Sequence, residues 1–97
     1  MLVVSILHLT LDLEGVDSLK AKRSVVKSLK EQMQHRFRLS VAEVDLNDSL
    51  SRAAIAAAVV SNSKAHGEEV LTKVLSYAEE HAEARIGDVE IFSEVYD

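Results

Sequence analysis

Residues 52–60 read Arg52-Ala53-Ala54-Ile55-Ala56-Ala57-Ala58-Val59-Val60, and the fold turns on whether this run is helix or strand. Alanine favours helix. The run is nevertheless short, ends in two β-branched valines, and has turn-like residues on both sides, Ser49 and Ser51 before it and Ser61-Asn62-Ser63 after it. That combination reads as a buried strand.

The remaining elements follow outward from it. Residues 2–13 are mostly apolar, and from Leu7 they alternate: Leu7, Leu9, Leu11 and Leu13 share one face while His8, Thr10 and Asp12 share the other, as in a long strand. Gly15-Val16-Asp17-Ser18 is a turn whose Asp17 or Ser18 side chain accepts an exposed N–H of the next helix. That helix runs from Leu19 to about Phe37, because Ala21 or Lys22, Val25, Val26, Leu29, Met33 and Phe37 recur at three and four and make one apolar stripe. Residues 39–46 form a second strand, followed by the polar loop Asn47-Asp48-Ser49. After residues 52–60, Ser61-Asn62-Ser63 caps a second helix from about Lys64 to Ala84. Its inner stripe includes Gly67, Leu71, Val74, Ala78 and His81, and its outer face is acidic. Gly87 turns the chain into a last strand, Asp88 to Tyr96.

The order is βαββαβ. In a chain of 97 residues with no linker, repeat or low-complexity segment, it predicts one domain over residues 1–97. Two split β-α-β units with right-handed crossovers give an α+β, ferredoxin-like sandwich: a four-stranded antiparallel sheet, first and third strands central, with both helices on one face.

Charge is unevenly spread over this plan. The formal net charge is −5, yet Lys20, Lys22, Arg23, Lys27, Lys30, Arg36 and Arg38 stand between Leu19 and Arg38 against Glu31 alone. That segment carries +6 and the rest of the chain −11. A basic face of this kind suits an anionic partner such as RNA, phosphate or an acidic protein; a plain solvated helix surface has the same look. Arg23, Lys27 and Lys30 recur on one exposed face of the helix, with Lys20 one turn earlier. Contacts through them would be made to phosphates, salt-sensitive and poor in base specificity. Base stacking on the sheet is disfavoured, because the four aromatics are Phe37, Tyr77, Phe92 and Tyr96 and none lies on a central strand.

A sheet with helices on one side leaves its other face to water, and that face is expected to be polar. Here Leu2, Val4 and Ile6, with His8, lie opposite the core face of the first strand, and the third strand is apolar from Ala53 to Val60. Uncovered apolar sheet marks an interaction site, most simply with a second copy in a homodimer. A ligand lodged against the sheet is the alternative.

Chemistry is thinly represented. There is no cysteine, hence no disulfide, thiolate metal site or Cys nucleophile. His8, His35, His66 and His81 do not cluster with carboxylates at metal-ligand spacing, and His66 with Glu69 supplies too few ligands. No metal and no cofactor is expected. Glu43 and Asp45 share one side of the second strand by alternation and form a carboxylate pair with acid–base potential, but no nucleophile elbow or Gly-rich phosphate loop accompanies them. No catalytic residue is assigned. The apolar start, Leu2 to Leu7, lacks the basic flank and cleavage site of a signal peptide, and no run reaches membrane-span length, so a cytoplasmic protein without a membrane role is expected.

Several motifs together suggest kinship. Ser18-Leu19-Lys20-Ala21-Lys22-Arg23-Ser24-Val25-Val26-Lys27-Ser28-Leu29-Lys30 resembles the signature of the small bacterial YlxP-like proteins, a family of unknown function. So do Arg36-Phe37 through Ser40-Val41-Ala42-Glu43-Val44-Asp45, and Val59-Val60-Ser61-Asn62-Ser63 with His66, Glu69-Val70-Leu71 and Lys73-Val74-Leu75. Leu50 departs from the tryptophan expected in many members. The resemblance implies a ferredoxin-like fold and brings no established activity. The genes of such proteins tend to lie beside genes for translation initiation and ribosome maturation, which implies ribosomal RNA or a ribosomal particle as partner. The expectation is therefore a non-enzymatic binding domain, docking on structured RNA through Lys20, Lys22, Arg23, Lys27, Lys30, Arg36 and Arg38. The alternative is a self-associating protein-interaction or small-ligand-sensing domain with no nucleic-acid role.

Overall fold

Alternation decides the first strand. In the computed structural model, which describes residues 1–97, Val3, Ser5, Leu7, Leu9 and Leu11 of β1 (Leu2–Asp12) all point to one side and are fully buried. The other elements are α1 (Leu19–Phe37), β2 (Ser40–Asp45), β3 (Arg52–Ser61), α2 (Lys64–His81) and β4 (Arg85–Tyr96). The strands form one sheet in the order β2-β3-β1-β4, every neighbour antiparallel. Both helices pack on the same face, so the molecule is a ferredoxin-like α+β sandwich with β1 and β3 central.

The alanine run is strand, not helix. Ala53, Ile55 and Ala57 turn their side chains into the core, with Ile55 packed among Leu7, Leu9, Leu11, Leu29 and Leu71. Each of these fully buried Leu and Ile side chains contributes about 1.5–3 kcal/mol, which overrides alanine's helix preference of a few tenths per residue.

Helix ends are set locally. Ser18 Oγ accepts from the Ala21 N–H (3.1 Å) and Ser63 Oγ from the His66 N–H (3.2 Å), so each serine caps its helix. Arg38 closes α1 in the left-handed conformation, φ 53°.

Three expectations need correction. α2 stops at His81 rather than Ala84, and β4 starts at Arg85 rather than Asp88, so Gly87 lies inside the strand. The pairing of β1 with β4 shifts register between Leu9 and Leu11, and Gly87 sits in that irregularity, where a Cβ would strike Thr10 Oγ1. Gly87 therefore permits a close approach within the strand instead of making a turn before it. Glu43 and Asp45 do not share a face. A register shift between them sets Glu43 opposite Ile55 and Asp45 opposite Ala54, on opposite sides of the sheet.

Candidate anion-docking groove along the first helix

The inner stripe of α1 is Lys22, Val26, Leu29 and Met33, each buried. The periodicity left a choice between Ala21 and Lys22 for its first member, and the lysine takes it with 1% of its surface exposed. Its Nζ donates to Leu46 O (2.6 Å) and Ser49 O (2.7 Å), lies 3.5 Å from Asn47 O, and sits 3.3 Å from Glu43 Oε2. A buried ammonium is tolerated only when its three donors and its charge are met, and here both are. Lys22 is therefore no part of a docking face. It latches the loop between β2 and β3, whose Leu46 is held at φ 62°, a conformation that non-glycine residues avoid. Leu46 N also donates to Asp45 Oδ1 (2.8 Å).

This loop chemistry accounts for the carboxylate pair as well. Glu43 is half-buried on the helix side, with Lys22 as its only polar partner, and Asp45 caps the loop on the other side of the sheet. They converge on no common substrate position.

One helical step further round, Arg23, Lys27 and Lys30 line an open groove of about 410 Å³ with Val26, Glu31, Gln34 and Glu43. It runs between α1 and the exposed edge of the sheet formed by β2. Gln34, which the charge pattern did not flag, bridges helix to edge by donating from Nε2 to Val41 O (3.1 Å). Within the groove Glu43 is already engaged by Lys22, and Glu31 meets Lys27 only at 3.8 Å with both side chains more than 60% exposed. Such a pair is worth little in water. Arg23 and Lys30 have no carboxylate within 4.0 Å. The three cations thus face solvent with almost no internal compensation.

The other basic residues are placed differently. Lys20 is exposed one turn before Arg23, outside the groove lining. Arg36 lines a separate cavity of about 340 Å³ between the helices, with Phe37, Lys73, Ser76, Tyr77 and Glu80. Arg38 is exposed at the helix end. Beside the second cavity Tyr77 meets Phe37 edge-on at 5.5 Å and stacks on His81 at 4.0 Å. His81 is thus an exposed stacking partner and not the packed stripe residue that the periodicity suggested.

The opposite layer is the open face of the sheet. Leu2, Val4, Ile6 and His8 all lie on it, as their alternation with the buried residues requires. Ile6 is paired with Ala58 and Phe92, and His8 with Ala56 and Glu90, so β4 adds Phe92 and Tyr96 to the same face. Leu2, Val60 and Tyr96 expose 48%, 68% and 51% of their surface. Tyr96 Oη donates to Glu94 Oε2 (3.2 Å); that hydrogen bond, and then the charge of the same carboxylate, hold the phenol above its ordinary pKa.

The comparisons with known proteins agree with the motifs. A family described as "Protein of unknown function (DUF503)" matches residues 4–91. The uncharacterized protein YlxP of Bacillus subtilis (strain 168) is 33% identical over 66 residues, covering 68% of this chain and 72% of that protein. No helix is long and apolar enough to cross a membrane. With its fold, its motifs and this match over most of its length, the chain belongs to the YlxP-like DUF503 family of proteins of unknown function.

Proposed function

We propose that this protein is a non-enzymatic binding protein that docks on structured RNA through the groove beside α1, with ribosomal RNA in a ribosomal particle as the target and the cytoplasm as its compartment. One observation carries the reading: Arg23, Lys27 and Lys30 converge on one open groove and are almost unopposed there. At 1.5 Å rise per residue their steps along the helix are about 6 and 4.5 Å, and Lys20 extends the row by a further ~4.5 Å. A straight row of cations neutralises successive phosphates along one strand and reads no bases. The family resemblance is what directs the choice to ribosomal RNA.

Co-sedimentation with ribosomal subunits at roughly 50 and 200 mM salt tests it, using the native chain and the triple variant Arg23→Glu, Lys27→Glu, Lys30→Glu. The native chain is expected to pellet at low salt only, and the variant at neither. If both stay in the supernatant throughout, the RNA reading is lost.

A second reading has its own observation, the uncovered apolar face of the sheet. It makes the protein a homodimer through Leu2, Val4, Ile6 and His8, with or without the RNA role. Raising salt separates the two, since apolar assembly holds or tightens where phosphate docking weakens.

A further inference from the structure

We infer that the open face of the sheet packs on the same face of a second copy, about a two-fold axis that runs along the strands between β1 and β3. This rests on the homodimer reading and adds the geometry, which comes from relief, area and charge.

The face is high on one side and low on the other. On the β1–β4 side, Ile6 and Phe92 stand next to each other, with Phe92 39% exposed. On the β3–β2 side, the same row holds Ala58 and Ser40, and the next, that of His8 and Glu90, holds Ala56 and Ala42, all short side chains. Val60 rises above this trough at the end of β3, beside Val4. A two-fold axis along the strands exchanges left and right, so the ridge of each copy meets the trough of the other. Ile6 then lies over the partner's Ala58, and Glu90 over the partner's Ala42. An axis across the strands would instead set ridge on ridge and leave both troughs open.

Area suffices for such a pair. Four strands about 4.8 Å apart and about ten residues long present a face of roughly 600 Å². Two copies then bury on the order of 1,200 Å², above the ~1,000 Å² that a specific interface needs. Joining copies edge to edge through β2 or β4 would only enlarge the uncovered face.

Charge selects the same axis. Glu90 and Glu94 of β4 share the open face with Phe92. An axis across the strands faces these carboxylates with their own copies, and like charges juxtaposed in an interface are costly. The axis along the strands lays them over the β2 side of the partner, where Ala42 is neutral and Arg38, two residues before Ser40, is exposed.

The chain has no cysteine, so introduced thiols report this arrangement cleanly. The experiment combines sedimentation velocity of the native chain with a short bismaleimide cross-linker applied to Glu90→Cys, to Ala42→Cys, and to their mixture. Both positions are exposed, so neither substitution threatens folding. The expected result is a species of twice the 10.7 kDa chain mass in solution, and a cross-linked band in the mixture but in neither variant alone. A native dimer with a band from Glu90→Cys alone, or with no band in the mixture, overturns the axis and leaves the homodimer standing. A native chain that sediments as a monomer at every concentration overturns the homodimer and the geometry with it.

Discussion

The strength of RNA docking should follow a salt dependence that the placement of the cations fixes in advance. Counting all seven basic residues of the helix segment would suggest many phosphate contacts. Lys22 is buried under its loop, and Arg36 belongs to a cavity between the helices. The row that one duplex strand can follow is Lys20, Arg23, Lys27 and Lys30. Each neutralised phosphate contributes about −0.9 to the slope of log K against log salt, so four give about −3.6 and a fourfold rise in salt weakens binding roughly 150-fold. If Arg36 and Arg38 also engaged, six contacts would steepen the loss to roughly 2,000-fold. In the triple variant Arg23→Glu, Lys27→Glu, Lys30→Glu only Lys20 remains, and the slope falls to about −0.9 with a loss of roughly 3.5-fold. Fluorescence anisotropy with a labelled hairpin of ribosomal RNA, titrated at several salt concentrations, reads these slopes directly. A native slope shallower than about −1, or one the triple reversal leaves unchanged, would refute the row as the contact.

Three further outcomes concern parts of the structure that the RNA reading does not use. Lys22→Ala leaves Glu43 and two loop carbonyls without their donor and should cost about 3–5 kcal/mol, the usual loss on breaking a buried pair; thermal melting within a few degrees of the native chain would contradict this. Gly67→Ala should destabilise by about 1–3 kcal/mol even though alanine is the better helix former, because the new Cβ meets the Oγ and Cβ of buried Ser5; equal or higher stability in urea would show that α2 can shift to make room. The Tyr96 ring signals should titrate above pH 10 in NMR and move back towards the ordinary phenol value in Glu94→Gln, since the carboxylate both holds the phenolic proton and repels the phenolate; an unmoved midpoint in that variant would remove Glu94 as the cause.

Much of this architecture was legible in the residues. Leucines at every second position of β1 and three-and-four spacing in α1 fixed both elements to within a residue or two, since burial acts through those periods. The alanine run resolved correctly because its flanks and terminal valines outweighed propensity. What failed were features that depend on register. Alternation put Glu43 and Asp45 on one side, but a single irregularity in pairing with β3 moved them to opposite faces. Gly87 read as a turn because a glycine's need for space carries no label saying what crowds it; here it was Thr10 Oγ1, across the sheet and far away in sequence. Lys22 showed the ambiguity of charge in a helical stripe. The period marked its position as inward, its chemistry marked it as outward, and the loop carbonyls that settle the matter lie more than twenty residues away.

The groove and the apolar face lie on different layers, and this governs how the two proposals combine. α1 covers one side of the sheet and the open face is the other, so pairing two copies face to face buries neither Arg23 nor Lys27 nor Lys30. Facing sheets sit about 10 Å apart, so the α1 helices become the outermost layers of the pair, directed away from each other. A single short RNA hairpin then reaches one groove only. Docking should therefore saturate at one hairpin per chain and two per dimer, and the affinity of each groove should not change when the dimer is dissociated. A longer RNA, or a particle with two accessible helices, would engage both grooves and gain avidity without any new contact. Dimer-breaking substitutions at Phe92 or Ile6 should accordingly leave hairpin binding intact while weakening capture by ribosomal subunits. Equal losses on both targets would instead mean that the open face itself touches RNA.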